Sequence, residues 1–196
     1  MSFLSFACDK QEEITAAAPT TDRAPASPAD TKEETVAQES AANAPRTGLL
    51  AVGDLAPDFE KTSHRGELVR LKELRGKVVI LYFYPKDGTP GCTTEARGFR
   101  DQHAVLSEAG AVVLGVSTQD NESHRAFAEK HGLPFLLLPD EDASLARSYG
   151  VGSIFGFSKR VTFVIDREGK IAKVYERVSP PGHAEEIRQD ILQLSR

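Results

Sequence analysis

Cys92 closes the stretch Pro85-Lys86-Asp87-Gly88-Thr89-Pro90-Gly91-Cys92, and its surroundings suit a reactive thiol. An apolar, strand-like run, Val78 to Tyr84, precedes the stretch, and a helix-like segment follows from Thr93. The cysteine is therefore expected at the first turn of a helix, on a Pro/Gly-rich loop. Backbone N–H groups there have no intrahelical acceptor, and the helix dipole presents partial positive charge. Such a setting favours the thiolate, which is the form that attacks electrophiles. A free cysteine is more usually a buried structural residue; the polar loop argues for reactivity instead.

The neighbours extend the case. Thr89, three residues before the cysteine, carries a hydroxyl that can both donate and accept. Pro85 and Pro90 stiffen the loop and limit access of water to its backbone. Glu95 is expected in the first helical turn, where a carboxylate suits the dipole and can hold an arginine.

The pattern P-x-x-x-T-x-x-C, with YFYPKDGTPGCTTE, then LGVST, then RVTFVID in that order, resembles the peroxiredoxins. Within them it is similar to the peroxiredoxin Q subfamily, also called bacterioferritin comigratory protein. The opening segment Gly53-Asp-Leu-Ala-Pro-Asp-Phe59 fits as well, and the likeness runs from Gly48 to Arg196. It implies a thiol peroxidase that reduces hydrogen peroxide and organic hydroperoxides, serving antioxidant defence and redox homeostasis. Cys92 would be the nucleophile and pass through a sulfenic acid. Thr89 would orient peroxide and thiolate, and Pro85 would shield the sulfur. Arg160, at the head of RVTFVID, would stabilise the thiolate and the developing charge, with Lys159 adjacent. Glu95 would hold Arg160 by a bidentate pair, and the N–H groups of Gly91 and Cys92 would complete the donor set. No cofactor is implied, and the subsidiary expectation is a monomer.

The chain departs from the family pattern at the resolving step. Many subfamily members carry a second cysteine five residues after the first; that position is Arg97 here. The following helix, Asn121 to His131, has no cysteine either. Only Cys8 remains, on a long tether whose effective concentration at Cys92 falls with length. One-cysteine behaviour is expected, with an external thiol reductant of thioredoxin, glutaredoxin or glutathione type. Phe155 and Phe157, before Arg160, offer either core packing or an apolar wall for alkyl hydroperoxides.

The elements that must position these groups follow from periodicity. Val78–Tyr84 and Ala111–Thr118 read as buried strands, and Phe135–Leu138 as a third. Glu67–Leu71 reads as a short strand and Leu74–Lys77 as a turn. Helices are expected over Cys92–Ala109, over a segment capped by Asn121 and stopped at Gly132, and over Ala143–Tyr149. Val161–Ile165 and Ile171–Tyr175 form a hairpin through Asp166-Arg-Glu-Gly169, and His183–Leu194 a last helix. This order predicts an α/β, thioredoxin-like fold: a mixed central sheet with helices on both faces.

Composition excludes several alternatives. The chain has two cysteines and no C-x-x-C, which rules out a disulfide framework and a cysteine-rich zinc site. Glu95 stands where a thiol–disulfide oxidoreductase would need its second cysteine. The five histidines, His64, His103, His124, His131 and His183, form no metal-binding motif and read as surface residues. Through Arg46 there are eight acidic and four basic residues; the remainder has 21 and 20, so no nucleic-acid footprint is expected. Residues 1–47 read as a disordered tether and 48–196 as the catalytic domain. MSFLSFAC resembles the tail of a bacterial lipoprotein signal, lacking a positive n-region and a full apolar core. A lipidated Cys8 would give a membrane tether in the cell envelope; otherwise the chain would be cytoplasmic. The rival to a peroxidase is a tethered thioredoxin-like holdase or partner-binding module.

Overall fold

The computed structural model describes residues 48–194. The predicted tether, its cysteine and its lipidation lie outside the described residues. Nine strands and four α-helices follow in order among the described residues: β1 Glu60–Thr62, β2 Leu68–Arg70, β3 Val78–Phe83, α1 Pro90–Glu108, β4 Ala111–Ser117, α2 Asn121–His131, β5 Leu136–Pro139, α3 Ser144–Ser148, β6 Ser153–Ile154, β7 Phe157–Ser158, β8 Val161–Ile165, β9 Ile171–Tyr175 and α4 His183–Leu194. A 3-10 turn, Leu71–Leu74, follows β2.

The main sheet has the order β5-β4-β3-β8-β9. β3, β4 and β5 run parallel; β8 is antiparallel to β3, and β9 to β8. The sheet is mixed, as predicted. β3 is central and buried throughout, which is why it reads as an unbroken apolar run. Its alternate residues serve opposite faces. Val78, Ile80, Tyr82 and Tyr84 join a core with Phe99 of α1, Phe127 of α2 and Ile187 and Ile191 of α4. Val79, Leu81 and Phe83 join another with Leu71, Leu145 of α3 and Tyr149.

Several helix ends differ from expectation by a residue or two, and two starts have a clear cause. α1 starts at Pro90, because proline suits the first helical position where no N–H is needed. α2 is capped by Asp120, whose carboxylate accepts from the Ser123 N–H at 2.8 Å; Asn121 is already helical. Gly132 ends that helix in the left-handed region, as predicted. The strand expected over Glu67–Leu71 stops at Arg70, and Leu71 opens the 3-10 turn.

The histidine reading is corrected. His64, His124, His131 and His183 are buried. Each finds polar or aromatic partners within the fold, which a sequence without an obvious motif does not announce. His183, for instance, pairs through Nε2 with the Thr162 hydroxyl at 2.9 Å and packs edge-on to Phe99 and Tyr175. Burial, with Arg160 nearby, pulls its pKa down to about 4.

Candidate active site

β3 delivers the chain to the end of the sheet, and residues 85–89 turn it into α1. Thr89 is the N-cap residue with extended backbone, and its side chain makes no cap bond. The Thr93 N–H bonds the Thr89 carbonyl at 2.9 Å, as the first turn closes. Gly91 and Cys92 precede that bond, so their N–H groups have no acceptor within the helix. Cys92 is free and 1% exposed.

Arg160 reaches this sulfur from the residue before β8. Its Nη2 donates to Cys92 Sγ at 3.1 Å, and its Nη1 donates to Glu95 Oε2. β8 lies directly beside β3, which brings the two ends together across 68 residues of sequence. A guanidinium on sulfur is a charge-assisted contact of defined direction. Lys159 is exposed, and its backbone pairs with Gly152.

Glu95 differs from its predicted setting. It is fully buried and lies beyond the first turn of α1, because the helix begins earlier than expected. The pair with Arg160 uses one carboxylate oxygen; Oε1 is buried without a hydrogen-bond partner. The contact is therefore monodentate. Burial pushes the Glu95 pKa up to about 7, against the opposing pull of Arg160. Arg160 is pulled down by burial, but Glu95 and the sulfur outweigh this and hold it above its ordinary value.

Thr89 donates its hydroxyl to the Lys86 carbonyl at 3.1 Å, which leaves the oxygen's acceptor capacity. Pro85 is half-buried at the start of the loop. Gly91 lies close to Arg160: a Cβ there would stand 3.4 Å from Nη2 and 3.6 Å from Pro180 Cγ. Phe155 is 97% exposed at the β6–β7 turn, so it neither packs in the core nor walls the site. Phe157 is half-buried, with the Lys86 ammonium 5.7 Å from its ring centre. Arg97, at the resolving-cysteine position, is exposed and sets Nη2 3.2 Å from His131 Nδ1.

Two features escaped sequence reasoning. Tyr82 is buried with an unpartnered hydroxyl, and burial followed by the Glu95 charge raises its pKa well above the ordinary value. Asp87 gathers Tyr84, Ser123 and His124 around one carboxylate. The only available signal was the polar residues Ser123 and His124 in a helix start. Among the described residues, no group of three His, Cys, Asp or Glu converges to hold a metal, and no helix is long and apolar enough to cross a membrane.

Comparison with known proteins identifies the family. The AhpC/TSA family profile matches residues 52–174. Peroxiredoxin Bcp of Bacillus subtilis is 44% identical over 153 residues, covering 74% of this chain and 98% of the relative. The chloroplastic peroxiredoxin Q of Triticum aestivum is 42% identical over 136 residues, covering 68% and 63% of the two chains. The crystal structure of peroxidoxin BcpB from Mycobacterium tuberculosis superimposes with a TM-score of 0.69 at 34% identity, covering 74% of this chain and 98% of that one. A family profile spanning most of the chain, near-complete coverage of a close relative and a shared thioredoxin-like fold place the chain in the AhpC/TSA family, among the peroxiredoxins, which are thiol peroxidases.

Proposed function

We propose that the chain reduces hydroperoxides at Cys92 through a sulfenic acid and is recycled by an external thiol. The observation that carries this reading is the Arg160 guanidinium 3.1 Å from a buried sulfur in the first turn of a helix.

The Cys92 thiolate attacks one peroxide oxygen in line with the O–O bond. An S–O bond forms, the O–O bond breaks, and the leaving hydroxide or alkoxide takes a proton. The sulfur is oxidised and the peroxide reduced. Arg160 steadies the negative charge as it moves, Thr89 and the N–H groups of Gly91 and Cys92 hold the oxygens, and Pro85 limits water. Glu95 keeps Arg160 in place. An external thiol then attacks the sulfenic sulfur, releasing water and leaving a mixed disulfide. A second thiol frees Cys92 and carries away the disulfide. Arg97 at the resolving position supports this one-cysteine course. Residues 48–196 would form the catalytic domain, acting as a monomer.

The test is one equivalent of hydrogen peroxide on the reduced full chain, a sulfenic-acid trap, and peptide mass spectrometry. An adduct on Cys92 is expected. A Cys8–Cys92 disulfide in its place would keep the peroxidase and make the tether cysteine its resolver. A reduced Cys92 would overturn the reading. Cys92→Ser is expected to abolish peroxide turnover; a holdase would survive it.

A further inference from the structure

The loop that carries Thr89 into Cys92 is moored by a single carboxylate. Asp87 Oδ1 accepts from the Tyr84 hydroxyl at 2.7 Å. Its Oδ2 accepts from the Ser123 hydroxyl at 2.7 Å and from His124 Nδ1 at 2.8 Å. Tyr84 directly follows β3, whereas Ser123 and His124 lie in the first turn of α2. One side chain of the loop therefore joins the central strand to a neighbouring helix.

This cluster is well removed from water. The side chain of His124 is 0% exposed and that of Asp87 is 7% exposed. His124 Nε2 is buried with no partner, so Nδ1 is the ring nitrogen that donates to Asp87. Burial alone would push the Asp87 carboxyl up, but His124 and the two hydroxyls outweigh it and hold the pKa below its ordinary value.

The loop's other ties are weaker or internal. The Thr89 hydroxyl bonds Lys86 within the loop, and exposed Lys86 lies 5.7 Å from the Phe157 ring centre. Gly88 turns the chain at φ +73 and contributes no side chain.

We infer that Asp87, held by Tyr84, Ser123 and His124, is a positioning residue that sets where Thr89 and the N–H groups of Gly91 and Cys92 meet a peroxide. The inference rests on the Cys92 peroxidase reading. Arg160 arrives from the β8 side of the site and makes no contact with this cluster. Two properties should therefore separate. The general reactivity of the sulfur follows Arg160 and the helix; handling of the O–O bond follows the loop. Misplacement of reacting groups by about 1 Å can cost on the order of a hundredfold in rate.

The experiment measures, on the full chain, the second-order rate of Cys92 oxidation by hydrogen peroxide and the rate of its alkylation by iodoacetamide. Asp87→Asn and His124→Phe are each expected to slow peroxide about tenfold or more, with alkylation within about twofold of the parent. Ser123→Ala, a milder change at a half-buried position, should slow peroxide about threefold. The Asp87→Asn/His124→Phe double variant should be no slower than the worse single, because both remove one shared contact. His124→Asn, which keeps a donor near Nδ1, should recover most of the loss. Peroxide rates within twofold of the parent in all single variants would overturn the inference. So would equal falls with peroxide and iodoacetamide, which mark a general loosening. A parent that reacts with peroxide no faster than free cysteine would sink the peroxidase reading itself.

Discussion

Arg160 Nη2 stands 3.1 Å from Cys92 Sγ while Nη1 is bound to the buried Glu95 carboxylate. One planar guanidinium, at the residue before β8, thus joins a sulfur and an acid on the same helix. Its fork geometry lets it do both at once.

Arg160→Lys should break this double contact, because a single ammonium cannot reproduce the fork. The expected loss in the second-order rate with hydrogen peroxide is about a hundredfold to a thousandfold, the usual cost of removing one such donor. Stopped-flow oxidation of Cys92 measures it. A loss of less than threefold would make Arg160 a structural partner of Glu95 only.

The Glu95 pKa, raised from 4.5 to about 7 chiefly by burial, has a consequence for stability. Folding favours the protonated form, so this stabilisation is complete below pH 4.5 and is lost as pH rises through about 7. The parent should lose about 3 kcal/mol relative to Glu95→Gln across that window. Urea denaturation of both proteins at several pH values tests the sign. A difference that stays flat or grows with pH would show Arg160 compensating the burial.

Tyr82 on β3 lies opposite Gly115 on β4 in the parallel register. A Cβ at Gly115 would stand 2.7 Å from the Tyr82 phenol and 2.7 Å from Leu137 Cδ2. Gly115→Ala should therefore cost about 1–3 kcal/mol by overpacking. Tyr82→Phe removes a buried hydroxyl without a partner and should be neutral or stabilising by about 1 kcal/mol. Thermal unfolding of the two variants distinguishes the effects; a destabilised Tyr82→Phe would mean that the hydroxyl is satisfied in solution.

Asp140 is fully buried and accepts from Lys61 Nζ at 2.9 Å and from the N–H groups of Leu145 and Ala146 at 3.0 and 2.8 Å. It takes up two N–H groups of the first turn of α3 and ties that helix to β1. Asp140→Ala should cost about 2–5 kcal/mol, chiefly because it leaves the Leu145 and Ala146 N–H groups without their acceptor. The peroxide rate of the folded fraction should stay unchanged, since none of these bonds involves Cys92, Arg160 or residues 85–91. Denaturant unfolding beside stopped-flow kinetics checks both halves.

The parts of this protein that depend on neighbours in sequence were readable without coordinates. The apolar run of β3, the Pro/Gly loop and the start of α1 put Cys92 in a helical first turn, because each rests on local backbone preference. Thr89, Pro85 and Arg160 could be singled out only through the resemblance to the peroxiredoxin motifs. Long-range relations were not encoded that way. The burial of Glu95 and its single-oxygen contact with Arg160 depend on β8 lying beside β3, 65 residues away in sequence between those two partners. The burial of His124 depends on α2 folding against the Asp87 loop, and the Tyr82–Gly115 crossing on the β3–β4 register. Periodicity tells a side chain which face of its own element it occupies; only the packing of elements decides which side chain meets it there.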